Sequence, residues 1–174
     1  MNKWIKNTTA ILCLGFATQA MAKNCTEVRA GIDMGSGTTK ILVSEVNVCT
    51  KTLGKVLFAQ EKPIGFNEDL AKSANNQLSP EIQQQGVTTL KALVGQAQKF
   101  HPVRITGVAT AVFRTAANGP QVIKQFNHQA HVSLRVISQK QEAEQGFLSA
   151  KAALNDPTVK DTDLLVWDIG GGSM

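Results

Sequence analysis

The first third of the sequence alternates apolar and polar positions in the way that β-strands do. Two apolar runs between residues 29 and 45 flank a turn of Gly, Ser and Thr, and another alternating run covers residues 55–62. Residues 51–54 provide a second turn. The pattern predicts a three-stranded antiparallel meander, followed by a long loop over residues 63–77.

From Ser79 onwards the spacing of apolar residues becomes helical. Ser79, Pro80 and Glu81 have the character of an N-cap, a first-turn proline and a first-turn acid. Apolar residues then recur every three, four or seven positions up to about residue 100. A long helix is therefore predicted to begin directly after Ser79.

Short strands and helices alternate over the next fifty residues. The predicted elements are a strand at 104–109, a strand-to-helix transition that stops at Asn118 and Gly119, a helix at 121–129, a strand at 132–137 and a helix at 141–154. Such alternation favours parallel strands joined by crossover helices. The predicted fold class is α/β with a mixed sheet, an antiparallel meander first and parallel strands later, flanked by helices.

Two Gly-rich segments share one design, in which an apolar strand ends in Asp and glycines and a hydroxyl residue follow. After a linker at 156–161, the second copy has a predicted strand at 164–168. The first copy consists of Asp33, Gly35, Ser36, Gly37 and Thr38, and the second of Asp168, Gly170, Gly171, Gly172 and Ser173.

Such segments can bind phosphate. Gly35 and Gly37 can adopt positive φ and let consecutive backbone N–H groups point at one anion, while the hydroxyls add donors. Asp33, at the end of the first strand, could hold a divalent cation or a water beside the phosphate. By itself the first segment also fits an ordinary tight hairpin turn, and Gly-Gly-Gly-Ser also fits a flexible linker.

Composition and the N-terminus indicate a globular, exported protein. The 174 residues are 43% apolar, which suffices for a buried core. Residues 1–22 have a basic start, a short apolar run and an Ala-Met-Ala site, which predicts a signal peptide cleaved after Ala22; an uncleaved anchor is the alternative. Cleavage removes two lysines and lowers the formal charge from +5 to +3, which does not favour nucleic-acid binding. The expected location is the periplasm, with no stable membrane anchor.

Cleavage also removes Cys13 and leaves Cys25 and Cys49 in a compartment where disulfides persist. If the first hairpin turns at Gly37, residues equally distant from it face each other, and Cys25 and Cys49 are such a pair. A cross-strand disulfide is therefore predicted. Two unrelated buried thiols are the alternative, since a register slip of one residue would place them on opposite faces.

The motifs together resemble those of the exopolyphosphatase/guanosine pentaphosphatase family. Residues 31–36 are similar to its first phosphate loop and residues 168–173 to its second, while residues 109–119 and 137–143 resemble the segments that carry an Arg and a Glu. That family belongs to the superfamily of actin, the 70-kilodalton heat-shock proteins and the sugar kinases. The resemblance implies two RNase-H-like (actin-like ATPase) lobes with a phosphate ligand between them.

The resemblance also implies roles and boundaries. Glu142 would orient and deprotonate the attacking water, Arg114 would neutralise charge on the phosphate, and Asp33 and Asp168 would hold Mg²⁺. Residues 23–155 would form the first lobe, and residues 156–174 a linker with the truncated start of the second. We therefore expect the 174-residue product to be a fragment that is inactive alone, and expect a homodimer only of a full-length form.

Two positions depart from the family pattern: Gly37 stands where Asn is usual, and Glu144 where Arg is frequent. If Glu144 lies close to Glu142, the added negative charge puts efficient hydrolysis in doubt. The resemblance implies release of orthophosphate from polyphosphate or a related chain, because nucleotides are scarce outside the cytoplasm. The alternatives are a non-catalytic module that binds phosphate chains or nucleotides, and an ATPase lobe like those of sugar kinases or heat-shock proteins.

Overall fold

The structure is a computed structural model that describes residues 25–154, 156 and 158–167. In these residues, five strands and four helices follow one another as the sequence predicts, and a short helix at residues 66–71 is additional. The elements are β1 Thr26–Met34, β2 Thr38–Asn47, β3 Thr52–Pro63, α1 Phe66–Ala71, α2 Pro80–Gln98, β4 Arg104–Ala109, α3 Ala111–Thr115, α4 Gly119–Ala130, β5 Ser133–Val136, α5 Gln139–Leu154 and a 3₁₀ turn Asp161–Asp163.

The five strands form one mixed sheet in the order β3-β2-β1-β4-β5. β1 pairs antiparallel with β2, and β2 with β3, whereas β4 lies parallel to both β1 and β5. The predicted fold class is thereby confirmed. Because β1 is the central strand, residues at its C-terminal end lie beside the ends of β4 and the start of β2.

One face of the sheet is covered by α2 and α4 and contains the hydrophobic core. Alternate residues of β1, among them Ile32 and Met34, are buried on this face. Three fully buried rings, Phe66, Phe113 and Phe126, join α1, α3 and α4, with centroid distances of 4.9 to 6.3 Å. The opposite face is much less covered and carries polar residues.

Helix α2 begins where the sequence predicts. The Ser79 hydroxyl accepts a hydrogen bond from Ile82 N at 3.2 Å and donates one to Asp69 Oδ1 at 2.6 Å. Asp69 Oδ2 also accepts from Ser79 N at 2.8 Å. These bonds tie α2 to α1, an element that the sequence assigned to a long loop; α1 is held by the buried ring of Phe66.

Helix α3 ends at Thr115, three residues before the predicted stop, and Asn118 and Gly119 begin α4. The Asn118 side chain forms two hydrogen bonds with Leu78, 40 positions earlier in the sequence. Its Oδ1 accepts from Leu78 N and its Nδ2 donates to Leu78 O, both at 2.9 Å. A Cβ at position 119 would lie 2.1 Å from Phe113 O, so only glycine allows this approach of α3 and α4.

The hairpin register differs by one residue from the predicted one. Thr26 pairs with Asn47 and Met34 with Thr39, so Cys25 opposes Val48 rather than Cys49. The predicted disulfide between Cys25 and Cys49 is nevertheless present. Cys49 lies beyond the end of β2, in the turn that leads to β3. The strand alternation that would direct its side chain to one face of the sheet does not apply there, so Cys49 can still reach Cys25.

The predicted strand at 164–168 is not found in the described residues. Residues 164–167 pair with no described strand, and Leu165 and Trp167 are exposed. A β-strand needs a neighbouring strand for its backbone hydrogen bonds, and the described sheet places no strand beside residues 164–167. The predicted signal peptide (residues 1–22), Asp168, and the second Gly-rich segment, residues 170–173, lie outside the described residues.

Within residues 25–154, 156 and 158–167, no helix combines the length and the apolar character that crossing a membrane requires.

Candidate functional site

The turn between β1 and β2 is closed by its own backbone and by its neighbours. Gly35 N donates to Thr38 O at 3.0 Å, Asn67 N to Ser36 O at 3.0 Å, and Ile64 N to Gly37 O at 2.9 Å. No described glycine has a positive φ, so Gly35 and Gly37 do not use this conformational freedom. The N–H of Gly35 is used inside the turn. Phosphate binding by this segment stays a prediction.

Ser36 faces the protein interior. It is 6% exposed, and its hydroxyl accepts a hydrogen bond from Val112 N at 3.3 Å. Because Val112 lies in the first turn of α3, Ser36 fastens the β1–β2 turn to the start of the helix that carries Arg114. Thr110 N strengthens this junction by donating to Met34 O at 3.2 Å.

Arg114 and Glu142 are brought into direct contact by the fold. Arg114 Nη1 donates to Glu142 Oε2 at 2.6 Å and to Ile137 O at 3.0 Å. The two side chains are 21% and 19% exposed, so the ion pair is largely but not fully removed from solvent. The resemblance had given both residues catalytic roles, and they come from elements separated by 28 positions in the sequence.

The start of α5 fixes the position of Glu142. Ser138 Oγ accepts from Gln141 N at 3.2 Å, and Gln141 Oε1 accepts from Ser138 N at 3.0 Å. These reciprocal bonds form a capping box, and Glu142 N donates to Ser138 O at 2.9 Å just beyond it. The Ser-x-x-Gln spacing is the signal in the sequence from which this cap can be predicted.

A cavity of about 980 Å³ lies between the less covered face of the sheet and α5. Glu142, Gln145, Gly146 and Ser149 of α5 line it. The opposite wall contains one residue from each strand in a single row: Glu61, Lys40, Asp33, Val108 and Arg135 are successive cross-strand partners. Four of the five are charged and Val108 is apolar; we call the five residues the charged row.

Asp33 and Glu142 therefore line the same cavity, as the motifs suggested. The neighbour of Asp33 on β2 is Lys40, a cation that the sequence analysis missed because the register it used paired Asp33 with Ile41. Across the described residues, no group of three or more His, Cys, Asp or Glu side chains converges as a metal site. Asp33 as a metal ligand remains a prediction, and its proposed partner Asp168 lies outside the described residues.

Glu144 does not share the environment of Glu142. Two positions along an α-helix correspond to a rotation of about 200°, so the two side chains leave α5 in nearly opposite directions. The Glu144 carboxylate lies 3.9 Å from Lys140 Nζ and is 59% exposed, and the residue does not line the cavity. The departure from the family pattern at this position therefore adds no charge directly at Glu142.

A mixed sheet of order β3-β2-β1-β4-β5 with helices on its faces defines an RNase-H-like lobe of the actin-like ATPase class. The model of the Ppx/GppA phosphatase family matches residues 48–174. The chain therefore belongs to the Ppx/GppA phosphatase family. The matched region includes Arg114 and Glu142 and begins after the β1–β2 turn.

Solved structures agree on the fold. The Ppx/GppA family member from Aquifex aeolicus shares 18% identity over 75% of this chain and 41% of its own, with a TM-score of 0.65. An exopolyphosphatase from Cytophaga hutchinsonii shares 21% over 70% and 37%, with a TM-score of 0.59. An exopolyphosphatase-like protein shares 20% over 76% and 39%, with a TM-score of 0.66. The chain thus spans about two fifths of the length of these relatives.

Proposed function

We propose that this chain contributes the first lobe of a phosphoanhydride hydrolase of the exopolyphosphatase type, which releases orthophosphate from polyphosphate-like chains. The observation that carries the proposal is the contact of Arg114 with Glu142, which lines the same cavity as Asp33, in a chain of the Ppx/GppA phosphatase family. A cation and a carboxylate beside an open cavity are the groups that hydrolysis of a phosphoanhydride needs.

Each residue has a distinct task in this proposal. Glu142 accepts a proton from the attacking water and orients that water towards the terminal phosphorus. Arg114 donates hydrogen bonds to the phosphate oxygens, for which a planar guanidinium is well suited. The capping box of Ser138 and Gln141 holds the start of α5, so the Glu142 carboxylate stays at the edge of the cavity.

The residues present fit Mg²⁺ only in the usual mode of phosphate-processing sites, one or two protein carboxylates together with substrate oxygens and waters. Asp33 is exposed at the end of β1 and lines the cavity, so its carboxylate is the described group that would hold the ion. Asp168 is the second proposed ligand. When bound, Mg²⁺ would offset negative charge on the phosphate oxygens.

The proposed location and substrate depend on export. Residues 1–22 have the composition of a signal peptide, and the disulfide between Cys25 and Cys49 is the kind of bond that persists in an oxidising compartment. Polyphosphate or a related phosphate chain is proposed over nucleotides because nucleotides are scarce outside the cytoplasm. A homodimer of a full-length form remains part of the proposal.

A second candidate is a module that binds phosphate chains without hydrolysing them. The observation that favours it is that Arg114 and Glu142 bind each other, an arrangement that a binding site could keep without turnover. The two candidates differ in one measurable property, the release of orthophosphate.

The test is orthophosphate release from polyphosphate with Mg²⁺, using the longest product of the reading frame because the chain spans two fifths of its relatives. Glu142→Gln should lower turnover about 10²- to 10⁴-fold, the usual contribution of a general base. Glu144→Gln, on the same helix but away from the cavity, should retain it. No release by the unmodified protein, with binding retained in both it and Glu142→Gln, would support the binding module.

A further inference from the structure

The contact between Arg114 and Glu142 lowers the affinity of Arg114 for any anionic ligand. The two hydrogen bonds that the Arg114 guanidinium makes within the described residues, to Glu142 Oε2 and to Ile137 O, start from Nη1. A phosphate chain that binds Arg114 competes with the Glu142 carboxylate for the same positive charge. As long as the pair is intact, Glu142 is also held by Arg114 and its Oε2 points at the guanidinium instead of a water.

We propose that the Arg114–Glu142 pair is a latch that an incoming phosphate chain opens. The phosphate oxygens replace the carboxylate on Arg114, and Glu142, which lines the cavity, loses its bond to the guanidinium. This inference rests on the proposed function, because it concerns binding at the same site. It assigns Arg114 a second task, that of a positioning residue which keeps the base inactive until a phosphate is bound.

The packing around α5 allows the latch to open locally. None of the described residues of α5 is fully buried, and residues of this helix and of the charged row line the same cavity of about 980 Å³. Because Glu142 already lines this cavity, its carboxylate can part from Arg114 without exposing the core. The carbonyl of Ile137, which follows β5, remains beside Arg114 and keeps the guanidinium near the site.

Binding of inorganic tripolyphosphate, measured by calorimetry on the full chain without Mg²⁺, tests the latch. Glu142→Gln removes the competitor and should tighten binding about two- to fivefold, the range expected for loss of one partly exposed ion pair. Glu144→Gln is the matched control, because it removes one negative charge from the same helix and leaves the latch intact.

A double-mutant cycle separates competition from general repulsion. With Arg114→Gln already present, Glu142→Gln should change the affinity no more than Glu144→Gln does. An equal gain in both backgrounds would overturn the proposal, as would unchanged or weaker binding by Glu142→Gln, or no binding by either protein. Circular dichroism checks that each variant is folded.

If Arg114→Gln does not fold, the unmodified protein decides the question. Its Arg114 side-chain NMR resonances should shift as tripolyphosphate is added, and unchanged resonances would overturn the proposal. Orthophosphate release is measured separately. Tighter binding by Glu142→Gln, with no hydrolysis by the unmodified protein, supports the latch and contradicts the hydrolase. Hydrolysis by the unmodified protein, with no affinity change in Glu142→Gln, supports the hydrolase and contradicts the latch.

Discussion

Two buried hydroxyl groups on β2 differ in their hydrogen bonding. Ser44 is 2% exposed, and its hydroxyl lies 2.8 Å from Glu45 O and 3.0 Å from Lys55 O. Thr39 is fully buried, and its Oγ1 has no hydrogen-bond partner in the part of the chain that the structure describes. A buried polar group without a partner costs stability, whereas a satisfied one contributes modestly.

Thr39→Val should therefore raise the free energy of unfolding by about 1 kcal/mol, because it replaces an unpartnered hydroxyl by a methyl group of the same size. Ser44→Ala is the matched control on the same strand and should lower it by about 1 kcal/mol through the loss of a satisfied hydroxyl. Urea unfolding of both variants is the measurement. A stability loss in Thr39→Val would show that its hydroxyl has a partner.

At the scale of elements, the position of the candidate base depends on how α5 begins. The capping box of Ser138 and Gln141 satisfies two backbone N–H groups at the start of the helix. The rest of α5 contributes little burial, since none of its described residues is fully buried. The first turn of α5 is therefore held largely by this cap and by the Arg114–Glu142 pair.

Ser138→Ala should destabilise the first turn of α5 by about 1 kcal/mol, the usual effect of losing an N-cap side chain. Amide hydrogen exchange should accelerate about fivefold at the start of α5 while the core of the sheet is unchanged. Ser149→Ala, in the interior of the same helix, is the control and should not accelerate exchange, because Ala favours helix more than Ser. Equal amide exchange rates at the start of α5 in both variants would contradict the prediction that the cap stabilises the first turn.

At the scale of the whole molecule, the disulfide ties the start of the sheet to the turn before β3. It closes a chain segment with a sequence separation of 24 residues. Reduction should lower the free energy of unfolding by about 2–4 kcal/mol, mainly because the unfolded chain gains freedom.

Urea unfolding with and without dithiothreitol measures this difference. A Cys25→Ala/Cys49→Ala double variant should have the lower stability of the reduced protein and should not respond to the reductant. Equal stability of the unmodified protein in both conditions would contradict the prediction.

Local signals in the sequence predicted several elements well. Strand β4 has the predicted bounds, and α2 starts after Ser79 because its cap, first-turn proline and apolar face all lie within one stretch. The predicted elements were wrong where the local structure depends on a contact with residues far away in the sequence. Asn118 looked like a helix stop but bonds to Leu78, 40 positions away, and α1 forms because Phe66 is buried in the common core.

The sequence by itself determined the mixed α/β order of elements, the pair of cysteines that bond and the segments that place the chain in its family. These depend on local periodicity and on residue types, which are readable along the chain. Only the tertiary structure decided that Arg114 holds Glu142 and that Lys40 is the neighbour of Asp33. Such contacts depend on strand register and on how α3 meets α5, and no local pattern specifies the distance between residues 28 positions apart.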